Sequence, residues 1–244
     1  MNSCHILNGD VLFDQLLEID GRKIIFRECL IDGPVLGNNL EEILTNRIQF
    51  YQDSYNVNSI EYREKGISEI LKIKSIEPNS EVNLWFEYDL FCQINFWCSM
   101  QFISSEIDCF LVSPVGNSWD GFGSLSNEEL HQCFANRQRI EKVDRLKIKK
   151  LWLAFKESDW YSMRSLAEEL RHLIPLIKEV VEAHIARFPS QDKFGRPEQS
   201  LLRIKKRLDN PTFNNIFRAF SKEEGIYGFG DLQLKNLLNN MENQ

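Results

Sequence analysis

The sequence predicts an α/β fold, a mainly parallel sheet of four to five strands followed by a helical C-terminal region. Three observations carry that prediction. Over residues 1–143, short apolar runs alternate with segments whose apolar residues recur at helical spacing. Turn-forming clusters, Asn8-Gly9-Asp10, Asp32-Gly33-Pro34 and Pro78-Asn79-Ser80, punctuate the runs. From Asp144 onward the periodicity is helical throughout.

Residues 3–7 form the first strand, closed by Asn8-Gly9-Asp10, and Leu12, Phe13, Leu16 and Leu17 mark the apolar face of a short helix. Gly21 breaks the chain before a second strand over 23–29, which leads into the Asp32-Gly33-Pro34 turn. Helices follow over 39–51 and, with a more polar face, over 60–73. The stretch 81–97, EVNLWFEYDLFCQINFW, reads as a buried strand running into a buried helix, with Asp89 at the joint as its N-cap. A fourth strand is expected over 106–115. The glycine-rich loop 116–124 lacks the GxGxxG and GxxxxGK[ST] spacings, so no phosphate cradle is assigned there. Ser126 with Glu129 three residues on is a capping box, opening a helix to residue 134. A fifth, edge strand is expected over 137–143. Helices then occupy 144–156, 159–170, 173–188 with Pro175 in the first turn, 198–208, 212–222 and 231–241. Residues 1–143 are thus read as an α/β domain and 144–244 as a helical region ending in a trihelical, helix-turn-helix-like unit.

At 244 residues the chain can bury a sizeable core, as one large domain or two small ones. A formal net charge of -7 argues against broad binding to nucleic acid or to an anionic membrane. No run approaches the roughly 18 apolar residues of a membrane span, and MNSCHILNGD lacks a basic region followed by an apolar one. The expected location is the cytoplasm. Six cysteines are scattered without a CxxC pair and read as reduced, core-filling thiols rather than zinc ligands.

A doubly wound, Rossmann-like sheet binds ligands outside the carboxyl ends of its strands, where helix N-termini present free N–H groups. Those ends gather Asn8, Gly9 and Asp10, then Arg27 and Glu28 with Asp32 beyond them, then Glu87 and Asp89, then Ser113. Gly9 lets the backbone approach a ligand, while Asn8 and Asp10 supply a donor and acceptors, or Asp10 simply caps the helix. Arg27 closes an apolar strand, where a charge requires pairing; it either meets Asp10, Glu28 or Asp32 or binds an anionic group, and Arg47 faces the same choice. Asp89 with Gln93 caps the helix or orients a ligand or a water. A divalent cation would need Asp10, Asp32 and Asp89 to converge, and no metal or cofactor is assigned. There is no GxSxG or HExxH, and none of the four histidines is spaced to pair with a Ser or Cys; His5 reads as a packed side chain. The leading reading is a protein that binds a small anionic or nucleotide-like ligand at the strand ends, as a binding protein or an enzyme. The alternative is a regulatory or interaction protein whose C-terminal helices contact DNA or a protein partner. Gln233, Lys235, Asn236, Asn239 and Asn240, with Lys205-Lys206-Arg207 nearby, are the candidate DNA-facing residues.

Four separated motifs also carry a family resemblance. HILNGD (5–10), FRECLIDGPV (26–35), Arg47 and LWFEYDLFCQINF (84–96) resemble the bacterial domain of unknown function 1835 over about the first half of the chain. WLAF (152–155), the Pro175 helix, RFPS with Gly195 and Glu198, and GFGDLQLKNLL (228–238) resemble the C-terminal region that often accompanies it. The resemblance implies an α/β N-terminal domain in a bacterial, cytoplasmic protein, with no established activity or catalytic residues.

Overall fold

A computed structural model of the chain describes residues 3–16, 18–37, 40–116 and 118–242; Leu17 and Asn39 lie outside the described residues. Five strands form one sheet: β1 (Ser3–Asn8), β2 (Arg22–Phe26), β3 (Glu81–Trp85), β4 (Asp108–Val112) and β5 (Gln138–Arg139), in the order β2-β1-β3-β4-β5. The first four are parallel, with Ile6 opposite Ile24 on one side and Leu84 on the other, and β5 runs antiparallel to β4. The fold is therefore α/β with a mostly parallel sheet. The edge strand predicted over 137–143 is reduced to two exposed residues, because helix α7 (Lys142–Glu157) starts directly after Glu141.

Strand geometry sends alternate side chains to opposite faces, and two cores result. Cys4, Ile6, Val82, Leu84, Cys109 and Leu111 belong to the larger core, and Leu7, Trp85 and Val112 to the smaller one. Helices α1 (Asp10–Gln15) and α6 (Asn127–Ala135) cover the smaller side through Leu12 and Leu130. Helices α2 (Leu40–Tyr55), α3 (Ser59–Tyr62), α4 (Ser68–Lys74) and α5 (Leu90–Ser99) belong to the larger side, where α5 is apolar almost all round, as a helix enclosed by protein must be. Between α3 and α4 the predicted helix 60–73 widens into a π turn, Arg63–Ile67, around Gly66, which lies buried under the Tyr62 ring. Side-chain periodicity does not reveal such a widening, because it leaves the apolar residues on the same face.

The C-terminal half is helical: α7, α8 (Trp160–Leu170), α9 (Ile177–Ala186), α10 (Arg196–Arg207), α11 (Phe213–Glu223) and α12 (Asp231–Glu242). The helix predicted from 173 begins only at Ile177, since Pro175 sits in the turn before it and cannot donate to a helical ladder. One continuous core joins this half to the sheet, running from Cys4 to Leu234. Between α11 and α12 the turn Gly225–Tyr227 buries Ile226 and Tyr227, and Phe229 stacks on Phe220 and Tyr227 at 5.9 and 5.4 Å. Arg187, just after α9, donates to the Ile31 carbonyl at 2.7 Å, and Gln233 of α12 to the Cys29 sulfur at 3.2 Å. The C-terminal helices are thereby stitched over the carboxyl edge of the sheet. All six cysteines are free and buried, and among the described residues no helix is long and apolar enough to cross a membrane.

Candidate functional site

The strand order reverses between β1 and β3, with α1 on one face and α5 on the other, and such a reversal leaves a crevice at the carboxyl ends. Asn8 ends β1, and Gly9 turns the chain into α1 with φ of 98°, in the left-handed range that glycine tolerates. Beyond β3, residues 86–89 lead into α5, whose first turn is capped by Asp89 Oδ1 accepting from the Cys92 N–H at 3.0 Å. A cavity of about 560 Å³ lies here. Asn8, Glu87 and Asp89 line its floor, Trp119 and Phe122 come from the glycine-rich loop, and Gly228 and Phe229 come from the C-terminal half.

Its electrostatics are one-sided. Glu87, Asp89 and Cys92 bring ligand-type atoms within 4.8 Å of one another, a set that can hold a divalent cation. Among the described residues no lysine, arginine or histidine lines the cavity, and no cation pairs with Glu87 or Asp89. Asp89 is buried; desolvation first and the Glu87 charge second raise its carboxyl to about 7. Glu87 instead accepts hydrogen bonds, from the Phe122 N–H at 2.6 Å and from the Cys92 thiol at 3.5 Å. Burial, reinforced by Asp89 and Glu87, holds the Cys92 thiol well above its usual range. Two loops press on this acid pair: a Cβ at Gly121 would overlap the Glu87 carboxylate, and one at Gly228, where φ is 63°, the Asp89 carboxylate. Gln93, fully buried, donates to the Glu87 carbonyl at 2.7 Å, and its own Oε1 has no hydrogen-bond partner.

The remaining predicted residues fall into separate arrangements. Asn8 donates to the Cys92 sulfur at 2.9 Å and accepts from Asn95 at 2.8 Å; Asn95 also donates to the Glu28 carbonyl at 2.6 Å, which ties β1, α5 and the end of β2 together. Arg27 grips the exposed Asp10 carboxylate through Nε and Nη2 at 2.7 to 3.0 Å and donates to the Lys65 carbonyl of the π turn. Arg47 does not reach the crevice. It is fully buried between the Phe50 and Tyr51 rings, pairs with Glu28 at 3.1 Å, and donates to the Cys29 and Asp32 carbonyls. Apolar neighbours force that pairing, because an isolated guanidinium in the interior is prohibitively costly. Tyr62 donates to the other oxygen of Glu28, and Tyr55 to Asp32 at 2.7 Å. Asp10, Asp32 and Asp89 therefore do not converge, and the cation-capable group is built around Asp89 alone of the three.

A second cavity of about 380 Å³ opens between the ends of β1 and β2, helix α2 and the start of α12. Phe26, Tyr51, Tyr55 and Leu232 line it, with the Arg27–Asp10 pair beside them, and it shares Asn8 and Phe91 with the first. Asn95, Phe91, Trp119 and Gly228 were not singled out from sequence, because nothing local distinguishes a core aromatic or a turn glycine from one that lines a cavity. His5 is packed inside the sheet, accepting from Trp85 Nε1 at 3.0 Å while its other nitrogen lies 3.0 Å from the Asp20 carbonyl. Of the candidate DNA-facing residues, Gln233 turns inward to Cys29, Lys235 pairs with Asp231, and Lys205 with Glu242. No family model, no curated protein and no solved structure matches the chain.

Proposed function

We propose that this protein binds a small, donor-rich organic ligand at the carboxyl edge of its sheet, in the cavity between β1, β3 and the C-terminal loop. The observation that carries the reading is a pair of acids, the buried Asp89 and the half-buried Glu87, facing a cavity that among the described residues is lined by no cationic side chain. A buried acid without a counter-charge is stabilised by a proton, by a cation or by a ligand's hydroxyl or amine hydrogens. Anion recognition by Arg27 and Arg47, the expectation from sequence, has weaker support: one guanidinium is held by Asp10 and the other is enclosed with Glu28. The resemblance to the domain of unknown function 1835 implies no activity, so the reading rests on this geometry.

The test is a thermal-shift screen of nucleosides, sugars, amines and the chlorides of magnesium, manganese and zinc, repeated on Glu87→Gln/Asp89→Asn. A compound at about a hundred times its dissociation constant adds roughly 2.7 kcal/mol, enough to raise the melting temperature by several degrees. The shift is expected to vanish in the double variant. A shift that persists there, or an organic panel that produces none, overturns the reading; a shift from a metal chloride alone replaces it with a cation site at Glu87, Asp89 and Cys92.

A further inference from the structure

The two cavities at the sheet edge differ in what they leave unsatisfied. In the larger one, carboxylate oxygens of Glu87 and Asp89 stand without a cation. In the smaller one the polar groups are already engaged with each other. The Tyr51 hydroxyl oxygen accepts the Cys29 N–H at 2.9 Å, and the Tyr55 hydroxyl donates to Asp32. Gln233 is held at both ends, by the Gly230 N–H and the Cys29 sulfur, and Arg27 and Asp10 neutralise each other. What remains for a ligand is ring carbon and aliphatic surface from Phe26, Tyr51, Tyr55, Phe91 and Leu232. Tyr51 and Tyr55 also pack on each other at 5.6 Å, so these rings are positioned before anything binds.

Asn8 and Phe91 line both cavities, so the two meet at the end of β1. We infer that they form one bipartite site for a nucleoside-like molecule: a planar ring in the aromatic chamber joined to a hydroxyl-bearing part in the acidic chamber, with no phosphate. Stacking suits a flat ring among tyrosines and phenylalanines, and a carboxylate is a natural acceptor for the hydroxyls of a ribose. A phosphate would meet the Glu87 and Asp89 carboxyl groups and no cationic side chain among the described residues of that chamber. This inference rests on the binding reading above and adds to it the aromatic half of the ligand.

The probes are adenosine, guanosine, cytidine and uridine, with their free bases, D-ribose and their 5′-monophosphates as comparisons, followed by isothermal titration calorimetry. At least one nucleoside is expected to bind at least tenfold tighter than its free base, than D-ribose and than its monophosphate. Val57→Trp and Leu232→Trp, which narrow the aromatic chamber, are expected to weaken that nucleoside at least tenfold while leaving D-ribose unchanged. Leu232 is half exposed on α12, so its variant tests the chamber even where Val57→Trp fails to fold. Nucleoside binding that survives both substitutions and is lost only in Asp89→Asn overturns the bipartite site while leaving the acidic cavity as the binding site. A monophosphate that binds more tightly than its nucleoside, or four nucleosides that do not bind, overturns the inference as well; the wider organic panel then decides the binding reading separately.

Discussion

Glu28→Gln is the most informative test of how the interior beneath the site is held. Arg47 is fully buried, and its guanidinium has three acceptors: the Glu28 carboxylate and the Cys29 and Asp32 carbonyls. The substitution preserves shape and removes the only charge that, among the described residues, opposes Arg47 within ion-pair distance. Breaking one partner of a buried pair costs roughly 3–5 kcal/mol, and because two carbonyl acceptors remain, the lower end applies, about 3 kcal/mol. For a chain of this size that corresponds to a melting temperature lowered by about 6–12 °C. Urea unfolding followed by far-UV circular dichroism measures the loss directly. The double variant Glu28→Leu/Arg47→Met removes both charges and is expected to recover at least half of it. By contrast Arg27→Ala, which leaves an Asp10 that is 63% exposed, is expected to cost about 1 kcal/mol or less. A Glu28→Gln protein within about 1 kcal/mol of wild type would refute the argument that Arg47 is structural, as would a double variant as unstable as the two single losses added together.

Two further predictions concern pH. Asp89 keeps its proton in the folded protein up to about 7, whereas an unfolded aspartate releases it near roughly 3.9, so the native state binds more protons between those values. Stability from this group therefore falls as pH rises from about 4 to 7. Asp89→Asn, which retains the cap on α5, should lose that descent and exceed wild type above pH 7; urea midpoints that decline equally in both proteins would sink the assignment. His184 behaves oppositely. Burial first and Arg187 second lower it to about 3, and its ring, with neither nitrogen hydrogen-bonded, packs on Phe155 and Phe188 at 4.8 and 5.4 Å. An unfolded histidine gains its proton near roughly 6.5, so stability from His184 is lost as pH falls from that value toward 3. His184→Phe should match wild type at pH 8 and surpass it increasingly below pH 6.5, whereas a constant offset at every pH would show that the histidine does not titrate.

Much of the architecture was legible in the amino-acid order because it is written locally. The apolar run 81–85 flanked by Pro78-Asn79-Ser80 makes β3, the Asp89 carboxylate three residues before the Cys92 N–H starts α5, and Ser126 with Glu129 forms the capping box of α6. Alternation of strands with helices over the first half fixes a parallel sheet, and with it the edge at which Asn8, Arg27 and Asp89 arrive. Tertiary structure decided which of those polar residues remain open to a ligand. In sequence Arg27 closes an apolar strand and Arg47 lies on the helix that follows, each with the same choice between an acid partner and an anion, yet one pairs at the surface and the other is sealed inside against Glu28. Glu87 and Asp89 came to share a cavity without a cation only because the loop at Gly121 and the turn at Gly228, one of them 139 residues beyond Asp89, fold back onto them. Backbone hydrogen bonding and side-chain periodicity act over a few residues and can be read in order, whereas the pairing of a buried charge depends on which distant segments exclude water from it.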